Sequence, residues 1–169
     1  MQAIRLGFSS LRAPLLYHSS HVNPRAVICA SMFAGPASEN LCGQSCAGAC
    51  SKDTPLVPKE EVPELLKAVP AWSLQDGGKL LSRKFTARNF KEAMKFFNQL
   101  AEVAEEEGHH PDFHLTNYRD VEVIVSTHAA GGLTKFDFIL ASKIDRIEVD
   151  YSPKWMAAEK ERLAGKLAS

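Results

Sequence analysis

At 169 residues, the chain is long enough for one domain and short for two. Apolar residues make up 45% and charged residues 24%, and 20 basic side chains balance 20 acidic ones. Zero net charge excludes a broad electrostatic footprint for nucleic acid, and no apolar run approaches the roughly 20 residues that span a bilayer. Neither nucleic acid nor membrane is therefore expected as a partner.

The first 38 residues contain no Asp or Glu but carry Arg5, Arg12 and Arg25 among six serines. An Arg-bearing, Ser-rich, acid-free start has the composition of an organelle transit peptide. A plain disordered tail would read similarly. Mitochondrion is the first expectation and chloroplast the alternative, the latter from the short Val27-Ile28-Cys29-Ala30 pattern. All four cysteines lie early, at Cys29, Cys42, Cys46 and Cys50. The fourfold spacing of the last three would align them on a helix as soft metal ligands. Gly43 and Gly48 oppose that helix and no nearby histidine completes the set. Residues 1–50 are read as leader and flexible linker, and no metal is expected.

Pro58 opens a short helical pattern that Pro63 delays and Pro70 closes. Leu74 and Leu80 flank Asp76-Gly77-Gly78, which reads as a β-hairpin. Asn89 caps the clearest helix, with Glu92 three residues on and Gly108 as its stop. Phe90, Ala93, Met94, Phe97, Leu100, Ala101 and Ala104 form its apolar stripe, which Phe96 and Val103 widen. Such breadth suits either a wide core contact or a second partner.

Pro111 keeps His110 out of helical geometry. A strand over 112–116, a turn over 117–120 and a second strand with Val121, Val123 and Val125 inward follow. That alternation turns His128 away from the valines. Thr134 to Asp137 reads as a capping box for a helix carrying Phe136, Ile139, Leu140 and Ile144. Residues 152–169 form a peripheral amphipathic helical extension. The predicted class is α+β. A four-stranded antiparallel sheet carries helices on one face, in the order α-β-β-α-β-β-α, within a domain at 51–151.

Residues 105–137 hold the densest group of proton-transfer side chains: Glu105, His109, His110, His128 and Asp137. Histidine titrates nearest neutrality and can both give and accept protons. Glu105, one turn before His109, is expected to orient that imidazole. Asp137 can serve the site or simply close the Thr134 cap. No HExxH zinc motif, nucleophile motif or phosphate loop is present.

Glu105, His109-His110-Pro111, Tyr118, His128 and Asp137, within GHHPDFHL, VSTHAAGGLT and DFILASKI, resemble the signature of the pterin-4a-carbinolamine dehydratases over residues 56–150. The resemblance implies dehydration of 4a-hydroxytetrahydropterin to quinonoid dihydropterin, with the pterin as substrate and no bound cofactor. It also implies His109 and His128 as acid–base groups and His110, Phe113 and Thr127 as substrate-binding, with Glu105 and Asp137 in support. A homodimer or homotetramer through the 89–107 helix and the sheet edge is implied too. The alternative is a non-catalytic assembly factor of the same fold, of the plastid carboxylase type.

Overall fold

Alternating apolar residues can bury one side of a strand only if helices cover it. Strands β1 (Ser73–Gln75), β2 (Leu80–Thr86), β3 (Asp112–Thr116) and β4 (Asp120–Val125) meet that condition in one antiparallel sheet of order β1-β2-β4-β3. The computed structural model describes residues 38–46 and 51–167. The acid-free stretch read as a leader lies outside the described residues, as do Cys29 and Cys50. Helices α1 (Ser38–Cys42), α2 (Val62–Ala68), α3 (Phe90–Glu107), α4 (Lys135–Ile144) and α5 (Pro153–Leu167) complete the fold. From α2 to α4 the order is the predicted α-β-β-α-β-β-α, and the class is α+β.

Register decides which side chains meet. Leu81, Arg83 and Phe85 of β2 pair with Val125, Val123 and Val121 of β4, so all six share the covered face. The opposite face carries Lys84, Glu122 and His114. Phe96 and Phe138 are fully buried in the core on the covered side, and each such side chain stabilises the fold by about 1.5–3 kcal/mol.

Asn89 caps α3 by accepting from the Glu92 amide at 3.0 Å, as its sequence predicts. The buried stripe is rotated from the predicted one. Phe96 is buried with Ala93, Phe97, Leu100 and Ala104, whereas Phe90 and Met94 stay exposed. A sheet of four strands covers only part of a helix face this wide. The exposed remainder carries Phe90 and Met94. Next to it the buried Phe97 ring lies 4.6 Å from that of Phe113 on edge strand β3.

Two segments outside the core pattern depart from expectation. Residues 38–46, read as linker, lie against the core, with Leu41 and Cys46 buried in it. Helix α5 is less peripheral than predicted. Trp155 stacks on Tyr151 at 4.9 Å, and Leu163 is buried. Tyr151 in turn reaches Arg83, whose guanidinium donates to its hydroxyl at 2.5 Å and to Asp145 Oδ1 at 2.7 Å. The Trp72 indole donates to the same Asp145 oxygen at 2.9 Å. Burial opposes charge on Arg83, but Tyr151 and Asp145 outweigh it and raise its pKa. Burial also pushes the Asp145 carboxyl up to about 6, against the pull of Arg83 and Trp72.

A buried ion pair costs most when one partner is removed. Asp145→Ala leaves the Arg83 charge without its carboxylate and is expected to destabilise the fold by about 3 kcal/mol in urea unfolding. A loss below about 1 kcal/mol would show that Tyr151 and the remaining contacts of Arg83 suffice for it.

Candidate active site

One end of the sheet gathers the start of β3, the end of β4, the end of α3 and the start of α4. Gly108 creates this corner. It closes α3 in left-handed geometry, at φ 59°, where a side chain would be strained. The chain turns there, and the His109 amide bonds back to the Ala104 carbonyl at 3.1 Å. Extended backbone then sends His109 and His110 to opposite sides.

His109 faces inward and is 1% exposed. Its Nε2 stands 3.2 Å from Asp137 Oδ1. The two groups are not in hydrogen-bonding line, so both ring nitrogens and that oxygen lack a hydrogen-bond partner among the described residues. Buried polar atoms left in this state are uncommon and cluster at functional positions. The other oxygen of Asp137 is crowded. Oδ2 accepts from the Thr134 amide at 2.6 Å, the Thr134 hydroxyl at 3.0 Å and the Thr127 hydroxyl at 2.9 Å. Asp137 therefore closes the predicted capping box of α4 and also stands against His109. The two readings of this residue are one arrangement.

His110 and His128 face outward, and both rings are largely exposed. His110 Nε2 meets Glu105 Oε1 at 3.1 Å. Glu105 was expected to orient His109. It orients His110 instead, because the helix ends before the i,i+4 contact can form. His128 opens a short 3-10 turn, His128–Ala130, and its Nε2 lies 3.4 Å from Asp112 Oδ2. Each of the three imidazoles thus has its own carboxylate: Asp137, Glu105 and Asp112.

Asp112 was not picked out from the sequence. Its signal was there in the strand register, since its pairing with Ile124 brings the start of β3 to the end of β4. Thr127 was expected on the substrate, but it is 1% exposed and its hydroxyl serves Asp137. Its side chain positions a carboxylate. Phe113 is 53% exposed beside His110 and is open to a flat partner. Tyr118, part of the family signature, sits in the β3–β4 turn at the far end of the sheet, about 13 Å of strand from Asp112. A groove of about 480 Å³ lies between Leu56, Leu74, Lys79 and the 131–133 loop. It shares the loop that follows His128, but none of the three imidazoles lines it.

Comparison with known proteins places the domain in a family. The family profile described as pterin 4 alpha carbinolamine dehydratase matches residues 55–147. A Marinobacter nauticus protein provisionally named pterin-4-alpha-carbinolamine dehydratase is 48% identical over 110 residues, spanning 64% of this chain and 97% of that protein. Pterin-4-alpha-carbinolamine dehydratase 2, mitochondrial, of Arabidopsis thaliana is 36% identical over 113 residues, 66% of this chain and 60% of that protein. A crystal structure titled transcriptional coactivator/pterin dehydratase, from Brucella melitensis, superposes with a TM-score of 0.51 at 32% identity, over 54% of this chain and 96% of that one. The chain belongs to the pterin-4a-carbinolamine dehydratase family.

Thr127→Val keeps the shape of the side chain and removes its donor to Asp137. The loss of a hydrogen bond to a buried carboxylate is expected to cost about 1.5–3 kcal/mol in urea unfolding. A cost near zero would show that Thr134 satisfies Asp137 Oδ2 unaided.

Proposed function

We propose that this chain dehydrates a 4a-hydroxytetrahydropterin to the quinonoid dihydropterin and water, by histidine acid–base catalysis. The observation that carries this reading is the three imidazole–carboxylate pairs gathered at one end of the sheet. The reaction needs two proton movements. The C4a–O bond breaks as the hydroxyl takes a proton and leaves as water, and a ring nitrogen gives up a proton as its lone pair forms the new C=N bond. His128, exposed and held by Asp112, is the acid for the departing hydroxyl. His109, backed by Asp137 and with unpartnered nitrogens, is the base for the ring proton once substrate binding opens its buried ring to the heterocycle. His110, fixed by Glu105, and the open ring of Phe113 hold the pterin. The pterin is the substrate, and the mechanism calls for no metal or bound cofactor.

The proposed site of action is an organelle, the mitochondrion first and the chloroplast second. That reading rests on the acid-free, Arg-bearing N-terminal stretch and on the mitochondrial designation of the Arabidopsis relative. We also propose a homodimer or homotetramer. The exposed row of Phe90, Met94 and Phe113, beside the unpaired edge of β3, is the surface that supports it.

General acid–base groups typically contribute about 10²–10⁴-fold in rate. His128→Ala is expected to lose turnover of freshly generated 4a-hydroxytetrahydropterin by that factor, with its circular dichroism unchanged. Turnover equal to that of the unaltered chain would remove His128 from the chemistry. For assembly, Phe90→Glu combined with Met94→Glu should lower the mass seen by sedimentation. An unchanged mass would place the contact elsewhere.

A further inference from the structure

Residues 38–46 lie outside the stretch that the family profile matches, yet they touch the site from behind. The contact is made twice. The Cys46 amide donates to Glu107 Oε2 at 2.7 Å, and the Cys46 thiol approaches the Phe136 carbonyl at 3.5 Å. Glu107 is the last residue of α3, two before His109. Phe136 immediately precedes Asp137. The segment therefore grips the two backbone stretches that carry the two halves of the buried pair.

Its hold is chemical as well as steric. Glu107 is buried, and a buried carboxylate must be partnered. Lys143 of α4 pairs with Oε1, and Cys46 satisfies Oε2. Burial alone would raise the Glu107 pKa, but the Lys143 ammonium and the Cys46 amide outweigh it and hold the carboxyl below its usual range. The Cys46 thiol itself is pushed up to about 12 by burial and by the Glu107 carboxylate, so it acts as an inert, neutral filler. Leu41, buried in the short helix α1, anchors the other end of the segment in the core.

We propose that residues 38–46 are a positioning strap, which ties the end of α3 to the start of α4 and so sets the alignment of His109 with Asp137. The inference rests on the catalytic reading above. His109 and Asp137 lie within reach but out of hydrogen-bonding line, so a small shift of either backbone changes how the pair is aligned. Misplacement of about 1 Å at a reacting group can cost on the order of a hundredfold in rate.

The test uses the full chain with Leu41→Asp, which places a charge in the apolar seat, and with Glu107→Gln, which keeps shape and loses charge. Leu41→Met serves as the conservative control. Three readouts are taken: hydrogen exchange over 38–46, kcat and KM for 4a-hydroxytetrahydropterin, and the imidazole NMR resonances of His109, His110 and His128. For Leu41→Asp the strap should exchange freely, and kcat should fall about tenfold or more with KM changed less than about twofold. The His109 resonance should move while those of His110 and His128 stay. Glu107→Gln should move the same resonance, and Leu41→Met should restore all values. A freely exchanging strap with an unmoved His109 resonance and unchanged kcat overturns the proposal. If Leu41→Asp does not fold, an unmoved His109 resonance in Glu107→Gln overturns it equally. If the unaltered chain shows no dehydration, the catalytic reading fails, and the His109 resonance still decides whether the strap positions that ring.

Discussion

A buried imidazole and a buried carboxylate face each other where α3 ends and α4 begins, and the rest of the fold fixes that meeting. His109 is brought there by the left-handed turn at Gly108. Asp137 is brought there by the cap of α4, whose Thr134 amide and hydroxyl pin one of its oxygens. One carboxylate therefore does two jobs. It satisfies the open amides of a helix start and presents its remaining oxygen to an imidazole.

The molecule separates two kinds of buried charge. On the covered face of the sheet, Arg83, Asp145, Trp72 and Tyr151 form a network with short, aligned hydrogen bonds. It joins β2 to α4 and to the chain entering α5, and it holds position without needing access. At the sheet end, His109 and Asp137 are close but not aligned, with polar capacity left over. That network keeps an unused acceptor too, since Asp145 Oδ2 has no hydrogen-bond partner among the described residues. What sets the His109–Asp137 pair apart is that both nitrogens of its imidazole are unpartnered, at the end of the sheet that also carries the exposed rings of His110 and His128.

Much of this was legible in the residues. Asn89, Gly108 and the Thr134–Asp137 box mark helix ends by local chemistry, and the structure keeps all three. The alternating valines assigned β4 its inner face. His128 is exposed as expected, but it lies past the end of the strand, in a 3-10 turn, so alternation is not what sets its direction. The misses share a cause, which is tertiary contact. The apolar stripe of α3 was wide enough to be placed by any of several rotations, and only the sheet beneath chose Phe96 over Met94. The pairing of Glu105 with His109 assumed a helix running one residue past its stop. Thr127 was assigned to the substrate through the resemblance alone, and Asp137 arrives from another element and takes its hydroxyl. The 38–46 segment has no periodicity at all. Its docking depends on a carboxylate and a lysine far along the chain.

The central claim is that the exposed imidazoles of His110 and His128 and the buried pair behind them form one pterin site at the end of the sheet. A crystal structure of the full chain with a bound dihydropterin, which lacks the leaving hydroxyl, tests it directly. The account predicts the heterocycle between the rings of His110 and His128, alongside Phe113, with a ring nitrogen directed at His109. A pterin seated instead in the groove beside Leu56 and Leu74, or on the Lys84 and Glu122 face of the sheet, would contradict it.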